Sequence, residues 1–315
     1  MRIFIAGGTG AVGSRMVPLL VAAGHEVYGS TRHDAGCDAL AAMGATGIVM
    51  DPLSAPSVQD AVAKAGPDVI VHQLTALGGL SGNLKKWDQE FALTNRLRIE
   101  GTDHLLAAAR ASGVRRFVAQ SFGGGWANER TGGWVKDETT PLIADPGKEA
   151  RGTLAAIRHL EETVTSATDL EGIVLRYGNF YGPGNATSRE GALGEMLRKG
   201  KMPVVGGGTG VWSFVHIDDV AAATVAALDR GAPGVYNIVD DEPAPVNQWI
   251  PFLAEQVGGR NPMRLPAWVA RPLIGEFGVA LMISVRGSSN AKARRELGWA
   301  PSYATWREGF RTGIG

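Results

Sequence analysis

Hydrophobic positions in the first half of the chain fall in short, near-continuous runs separated by amphipathic stretches. RIFIA, VIVH and IVLRY carry almost no polar alternation, the pattern of strands covered on both faces of a sheet. Strands are expected at Arg2–Ala6, His25–Ser30, Thr46–Met50, Asp68–His72, Arg116–Gln120 and Gly172–Tyr177. The stretches between them predict helices at Ser14–Ala23, Ser57–Lys64, Leu84–Ala111 and Glu149–Ser166. Strand and helix in alternation point to α/β architecture: a Rossmann-type, doubly wound parallel sheet.

Past residue 180 the texture changes to YGPGNA, VVGGGTG and EPAPV. Short helices are expected near Gly191–Lys199, Asp218–Asp229, Val246–Val257 and Asn290–Leu297, with strands near Trp212–His216 and Val235–Ile238. This divides the chain into a dinucleotide-binding domain over 1–180 and a smaller, mixed substrate-binding domain over 181–315, with some later segments returning to the first.

The first strand runs directly into Gly7-Gly8-Thr9-Gly10-Ala11-Val12-Gly13 and then a helical SRMVPLLVAAG. Gly7 suits a tight turn, Gly10 close backbone approach to a pyrophosphate, and Gly13 tight packing of helix on strand. The helix N-terminus offers free N–H groups and partial positive charge to phosphate. The second strand leads into Ser30-Thr31-Arg32-His33, with no acid before Asp34. An acid there would hold the ribose hydroxyl of NAD, whereas an arginine accommodates the extra phosphate of NADP. NADP(H) is therefore favoured over NAD(H), with Thr31 and Arg32 as contacts.

Composition narrows the class. The 315 residues include 44 glycines and one cysteine, and 31 basic side chains balance 31 acidic ones. Charge neutrality argues against a nucleic-acid surface, and one cysteine against a disulfide framework. No apolar run approaches the ~20 residues of a membrane span, and MRIFIAGG lacks a signal-peptide layout. A cytoplasmic protein acting on a small molecule is expected. VVGGG at 204–208 precedes a strand rather than a helix, so it is read as a turn. Asp218 is read as a helix cap, His72 as structural and Cys37 as inert; no metal site is expected.

The spacing Gly7-x-x-Gly10-x-x-Gly13, with DVIVHQLTA, NRLRIEGTDHLLAAA, LRYGNFYGPG, SFVHIDDVAAA and LGWAP, resembles the extended short-chain dehydrogenase/reductase family, also called the NAD-dependent epimerase/dehydratase family. The resemblance implies that Asp51 meets the adenine and that Leu74, Thr75 and Ala76 line the dinucleotide. It adds Asn95, Asn179 and Phe180 as cofactor contacts, and a homodimer built on the 84–111 and 149–166 helices. It also implies a Tyr-x-x-x-Lys pair and a hydroxyl at the reacting centre, which this chain lacks in part. None of its five tyrosines (Tyr28, Tyr177, Tyr181, Tyr236, Tyr303) has a lysine four positions on. Aligning Glu162 with the family glutamate puts Leu154 and Arg158 in the two positions. Phe122 falls at the hydroxyl position, and a one-residue shift restores Ser121. Ser121 and Tyr181 are the catalytic candidates. Asp137 and Glu138 offer carboxylates at the pocket mouth. Phe122, Trp126, Phe180 and Trp212 suggest an aromatic wall, with Phe122, Trp126 and Trp212 as substrate-pocket candidates. Three functions are open: an atypical NAD(P)-dependent oxidoreductase acting on a carbonyl or related substrate, a nucleotide-sugar epimerase or dehydratase, and a non-catalytic NADP(H) sensor.

Overall fold

A computed structural model describes residues 1–315. Seven strands form one parallel sheet: β1 Arg2–Ala6, β2 Glu26–Thr31, β3 Thr46–Val49, β4 Val69–His72, β5 Arg116–Phe122, β6 Glu171–Tyr177 and β7 Gly234–Ile238. Their order is 3-2-1-4-5-6-7, with Ile3 opposite Val69 and Ile5 opposite Val71. The order reverses between β1 and β4, the position where doubly wound sheets open a ligand crevice at the strands' carboxyl ends.

Alternate residues of each strand feed two cores. Ile3, Ile5, Val69, Val71, Val118 and Ile173 face α1 (Gly13–Ala22). Phe4, Ile70, Phe117 and Val174 face α3 (Ala55–Ala65), α4 (Thr102–Ala111) and α5 (Arg151–Thr165). Burial on both faces is why these runs lack alternation. The helix α6 (Ile217–Ala226) also belongs here, since Ile217, Val220 and Ala221 join the α1-side core. From the second half of the chain, β7, α6 and the Leu297–Trp299 turn thus pack into the core of the seven-stranded sheet.

The remainder forms a smaller core around α7 (Val246–Gln256), α8 (Ala267–Ile283) and α9 (Trp306–Thr312). Trp249, Trp306, Phe214 and Phe310 fill it. Two-residue and three-residue strands stitch it to the sheet edge, as where Asn179–Tyr181 runs parallel to Phe214–His216.

Three helices escape the periodicity reading: α2 (Asp34–Ala42), α8 and α9. Pro272 and the left-handed Gly275 (φ 77°) interrupt α8 and mask its pattern. Leu84–Ala111 is not one helix either. It breaks at Phe91, and a π-helical turn spans Leu97–Gly101 before α4. The cap of α6 is not Asp218: buried His216 accepts the Asp218 N–H at Nδ1 (3.2 Å).

Candidate active site

The glycine loop turns between β1 and α1 as its composition requires. Gly7 sits at φ 92°, and its N–H donates to Ser30 Oγ at 3.0 Å. A Cβ on Gly13 would lie 2.5 Å from the Gly7 carbonyl oxygen and 2.7 Å from that of Gly8. Only glycine lets α1 start this close to the loop. Thr9, Gly10 and Ala11 are exposed while Val12 and Gly13 are buried, so the outer rim is open to a phosphate group and the inner one is anchored. The residues present fit a dinucleotide pyrophosphate.

At the end of β2, Thr31 is buried and its hydroxyl turns to the His33 carbonyl (3.4 Å). Arg32 is exposed and makes no ion pair or hydrogen bond. Asp51 is exposed after β3 and accepts the Leu53 N–H at 2.9 Å. The exit of β4 lies against the glycine loop, with the Gln73 carbonyl 3.0 Å from where a Gly7 Cβ would stand. Leu74, Thr75 and Ala76 continue from it, half-buried. Two side chains hold that segment: the Leu74 N–H donates to His72 Nδ1 (3.2 Å) and the Ala76 N–H to Thr94 Oγ1 (3.0 Å). Burial pushes His72 down to about 4, with the Arg98 charge adding to it. The ring is therefore neutral, and Nε2 carries the proton it shares with Thr102 (3.1 Å).

At the end of β5 the geometry corrects the sequence reading. Ser121 is buried, and its hydroxyl donates to Glu161 Oε1 on α5 at 2.7 Å. The same carboxylate takes Arg176 in a fork, Nε at 2.8 Å and Nη2 at 2.6 Å. Ser121 belongs to this buried network, its hydroxyl proton committed to Glu161. Tyr181 fares no better. It is fully buried in the C-terminal core against Phe310 (5.3 Å) and His216 (5.2 Å). Its hydroxyl has no partner, and burial raises its pKa far above the phenol range. Neither can act as the proton donor.

The helix register shifts too. Of the two adjacent glutamates, Glu161 faces the sheet and Glu162 is exposed. Registering on Glu161 instead of Glu162 would exchange Leu154 and Arg158 for Thr153 and Ile157. Both are fully buried. Thr153 donates its hydroxyl to Asp88 Oδ1 (2.7 Å) and accepts from Asn95 Nδ2 (3.1 Å). Asp88 also receives the Gly152 and Thr153 N–H groups, each at 2.8 Å. It therefore caps α5 from another helix, and α5 carries neither tyrosine nor lysine.

Asp137 is spent on Thr139, whose hydroxyl holds it below the usual carboxylate range. Glu138 accepts the Asn237 N–H at 2.8 Å, and burial raises it. Asn179 donates its amide to the Gly124 and Ser213 carbonyls, each at 3.0 Å, and Phe180 packs on Tyr177 at 5.7 Å. Phe122 and Trp126 lie 6.2 Å apart. Trp126 meets Phe277 edge-on at 5.5 Å, and Phe277 meets Trp87 at 5.1 Å. Trp212 is more distant in role: it packs on Trp249 and donates to the Leu281 carbonyl (2.8 Å).

Sequence reasoning missed Trp87, Phe277 and Arg15. The aromatics lie far apart in the chain and meet only through α8. Arg15 on α1 donates to the Pro183 carbonyl (2.7 Å) and pairs with Asp218 of α6 (3.2 Å), fastening the glycine-loop helix to α6 and to the segment after Tyr181.

Residues 3–239 match the NAD dependent epimerase/dehydratase family. The chain is 43% identical over 312 residues to a 3-diazoavenalumate denitrifying reductase of Streptomyces sp., covering 98% of this chain and 99% of the relative. It is 28% identical over 345 residues to a 2-alkyl-3-oxoalkanoate reductase of Stenotrophomonas maltophilia, covering 99% and 98%. Among solved structures, the UDP-glucose 4-epimerase of Thermus thermophilus with NAD superposes at a TM-score of 0.74 and 26% identity, covering 100% and 98%. A human epimerase family protein with NADPH matches at 0.70 and 21%, covering 100% and 99%. With its glycine loop, switch-point crevice and seven-stranded sheet, the chain belongs to the NAD-dependent epimerase/dehydratase family, as an NAD(P)-dependent oxidoreductase of the extended short-chain dehydrogenase/reductase type.

Proposed function

We propose that the protein is an NADPH-dependent reductase of a diazo-bearing aromatic compound. The observation that carries this is α5, where buried Thr153 and Ile157 leave no proton donor for a carbonyl. A nicotinamide bound across the crevice supplies hydride. Carbonyl reduction also needs a proton on oxygen, normally from a positioned acid. An aryl diazonium needs none: ArN2+ and hydride give ArH and N2, with atoms and charge balanced. The denitrifying reductase named above favours the same acceptor class. The chain's task is then to hold the donor carbon and the diazo-bearing arene carbon in line and dry, which the Phe122–Trp126 aromatics suit. Epimerase chemistry is disfavoured, because oxidising a substrate alcohol needs a base where Thr153 is buried.

Arg32 is the basis for NADPH over NADH: an exposed fork with no partner beside the adenosine end matches a phosphate. The test pairs thermal shifts against NADPH and NADH with NADPH oxidation on p-methoxybenzenediazonium. Deuterated NADPH should deliver its label to the arene carbon. Cofactor binding with no turnover on diazo or carbonyl acceptors would leave a sensor instead. Arg32→Asp should reduce the NADPH preference at least about tenfold, the worth of a charged fork; an unchanged ratio refutes it. A homodimer through the 84–111 and 149–166 helices is part of the same proposal, and light scattering reads it directly.

A further inference from the structure

Two arginines far apart in the chain lie within Coulombic reach of each other near the aromatic cluster. Arg130 lies on the loop leaving β5, and Arg286 follows α8. Buried Asn128 locks the two segments together, donating to the Arg286 carbonyl (3.0 Å), the Gly287 carbonyl (3.2 Å) and Ser288 Oγ (3.0 Å). Parallel pairing of Val135 with Gly287 and Lys136 with Ser288 continues the seam. Gly125 makes it possible: a Cβ there would lie 2.6 Å from the Arg286 carbonyl oxygen, at φ 98°.

The guanidinium groups are placed but not satisfied. Arg286 lies 3.7 Å over the Trp134 ring and donates Nη1 to the Ser284 carbonyl at 3.0 Å. Its Nε is buried without an acceptor, as are Nε and Nη2 of Arg130. Of the nearby acids, Glu129 accepts the Arg130 and Thr131 backbone N–H groups and two others are paired with other arginines. Arg151 grips Asp145 at 3.1 and 3.0 Å, and Arg271 holds Glu276 at 2.7 Å. Burial lowers both arginines, and the Arg286 charge lowers Arg130 further against the opposing pull of Glu129 and Asp145. Buried donors without acceptors are costly and rare in folded proteins. Arg130 and Ser284 border a cavity of about 320 Å³ whose wall includes Val279, Ala280 and Ile283 together with the paired Arg271 and Glu276 and with Asp145; Arg286 stands outside this lining.

We propose that Arg130 and Arg286 seat the carboxylate of an organic acid, and that this is the acidic end of the substrate. The planar forks match a carboxylate's two oxygens, and the three apolar side chains favour an organic body over an inorganic ion. The assignment to substrate rests on the reductase reading; the binding site does not.

The test uses the full chain with NADPH and calorimetric titration of three probes: cinnamate, its neutral amide cinnamamide, and inorganic phosphate. Cinnamate should bind about tenfold more tightly than the amide. Arg130→Gln and Arg286→Gln should each reduce that preference and together abolish it, with NADPH affinity unchanged. Equal binding of acid and amide, or a preference surviving in the double variant, overturns the site. Phosphate matching cinnamate overturns the organic-acid assignment. A turnover arm compares p-carboxybenzenediazonium with its p-carbamoyl analogue. Arg130→Gln should raise KM for the acid only; equal KM values in both proteins refute the substrate role. If neither acceptor is reduced, the reductase reading fails while the titrations still judge the site.

Discussion

The buried carboxylate of Glu161 is the most exposed point of the reasoning to experiment. Its side chain is 7% accessible, as is that of Arg176. It accepts three hydrogen bonds, two from Arg176 and one from Ser121. Arg98 is also buried, with Nη1 unpartnered, and burial depresses it to about 10 while the Glu161 charge pulls the other way. Glu161→Gln keeps the volume and removes the only charge opposing two buried guanidinium groups. Breaking a buried pair on one side costs about 3–5 kcal/mol. At roughly 2 °C per kcal/mol for a chain of this size, the midpoint should fall by about 6–10 °C. Glu161→Leu with Arg176→Met should recover part of this, because only Arg98 is then left uncompensated. Ser121→Ala removes one of three donors and should cost about 1 kcal/mol. Circular dichroism melts measure the ladder, and NADPH oxidation on the diazonium acceptor measures function. Ser121→Ala should keep its turnover. Loss of turnover with stability and NADPH binding intact would make Ser121 catalytic and refute the placement; a Glu161→Gln midpoint within about 2 °C of the parent would refute the energetics.

Two further outcomes follow from other parts of the structure. Gly13→Ala drives a methyl against the Gly7 and Gly8 carbonyls at 2.5 and 2.7 Å, so NADPH affinity by calorimetry should fall at least about tenfold. Gly78→Ala, which meets nothing within 4 Å, should leave affinity unchanged; equal effects of both would break the argument from close approach. His72 titrates near 4 when folded against an ordinary 6.5. Between those values the unfolded chain binds the proton and the native one does not. Its contribution of about 3 kcal/mol is thus complete above pH 6.5 and lost as pH falls toward 4. His72→Gln should flatten stability across that window in urea titrations; an unchanged slope would assign the loss to other groups.

Much of this protein was legible before any coordinates. RIFIA, VIVH and IVLRY are apolar on both faces, and that alone requires a sheet covered twice. Gly7, Gly10 and Gly13 lie within one strand-to-helix turn, so local spacing was enough to locate that turn. That no tyrosine is followed by a lysine four positions on was equally visible, because a spacing of residues needs no fold. The partners of Ser121 and Tyr181 were not legible. Ser121 is bound by Glu161, 40 residues away, and Tyr181 is enclosed by a helix at the far end of the chain. Adjacent helix positions point about 100° apart, so Glu161 is buried against the sheet while Glu162 is exposed, a difference that sequence alone does not reveal. Local pattern sets which elements form and where the backbone must come close. Which hydroxyl reaches a substrate, and which arginines are left without a partner, depends on contacts between distant segments, and only the packed tertiary structure supplies those.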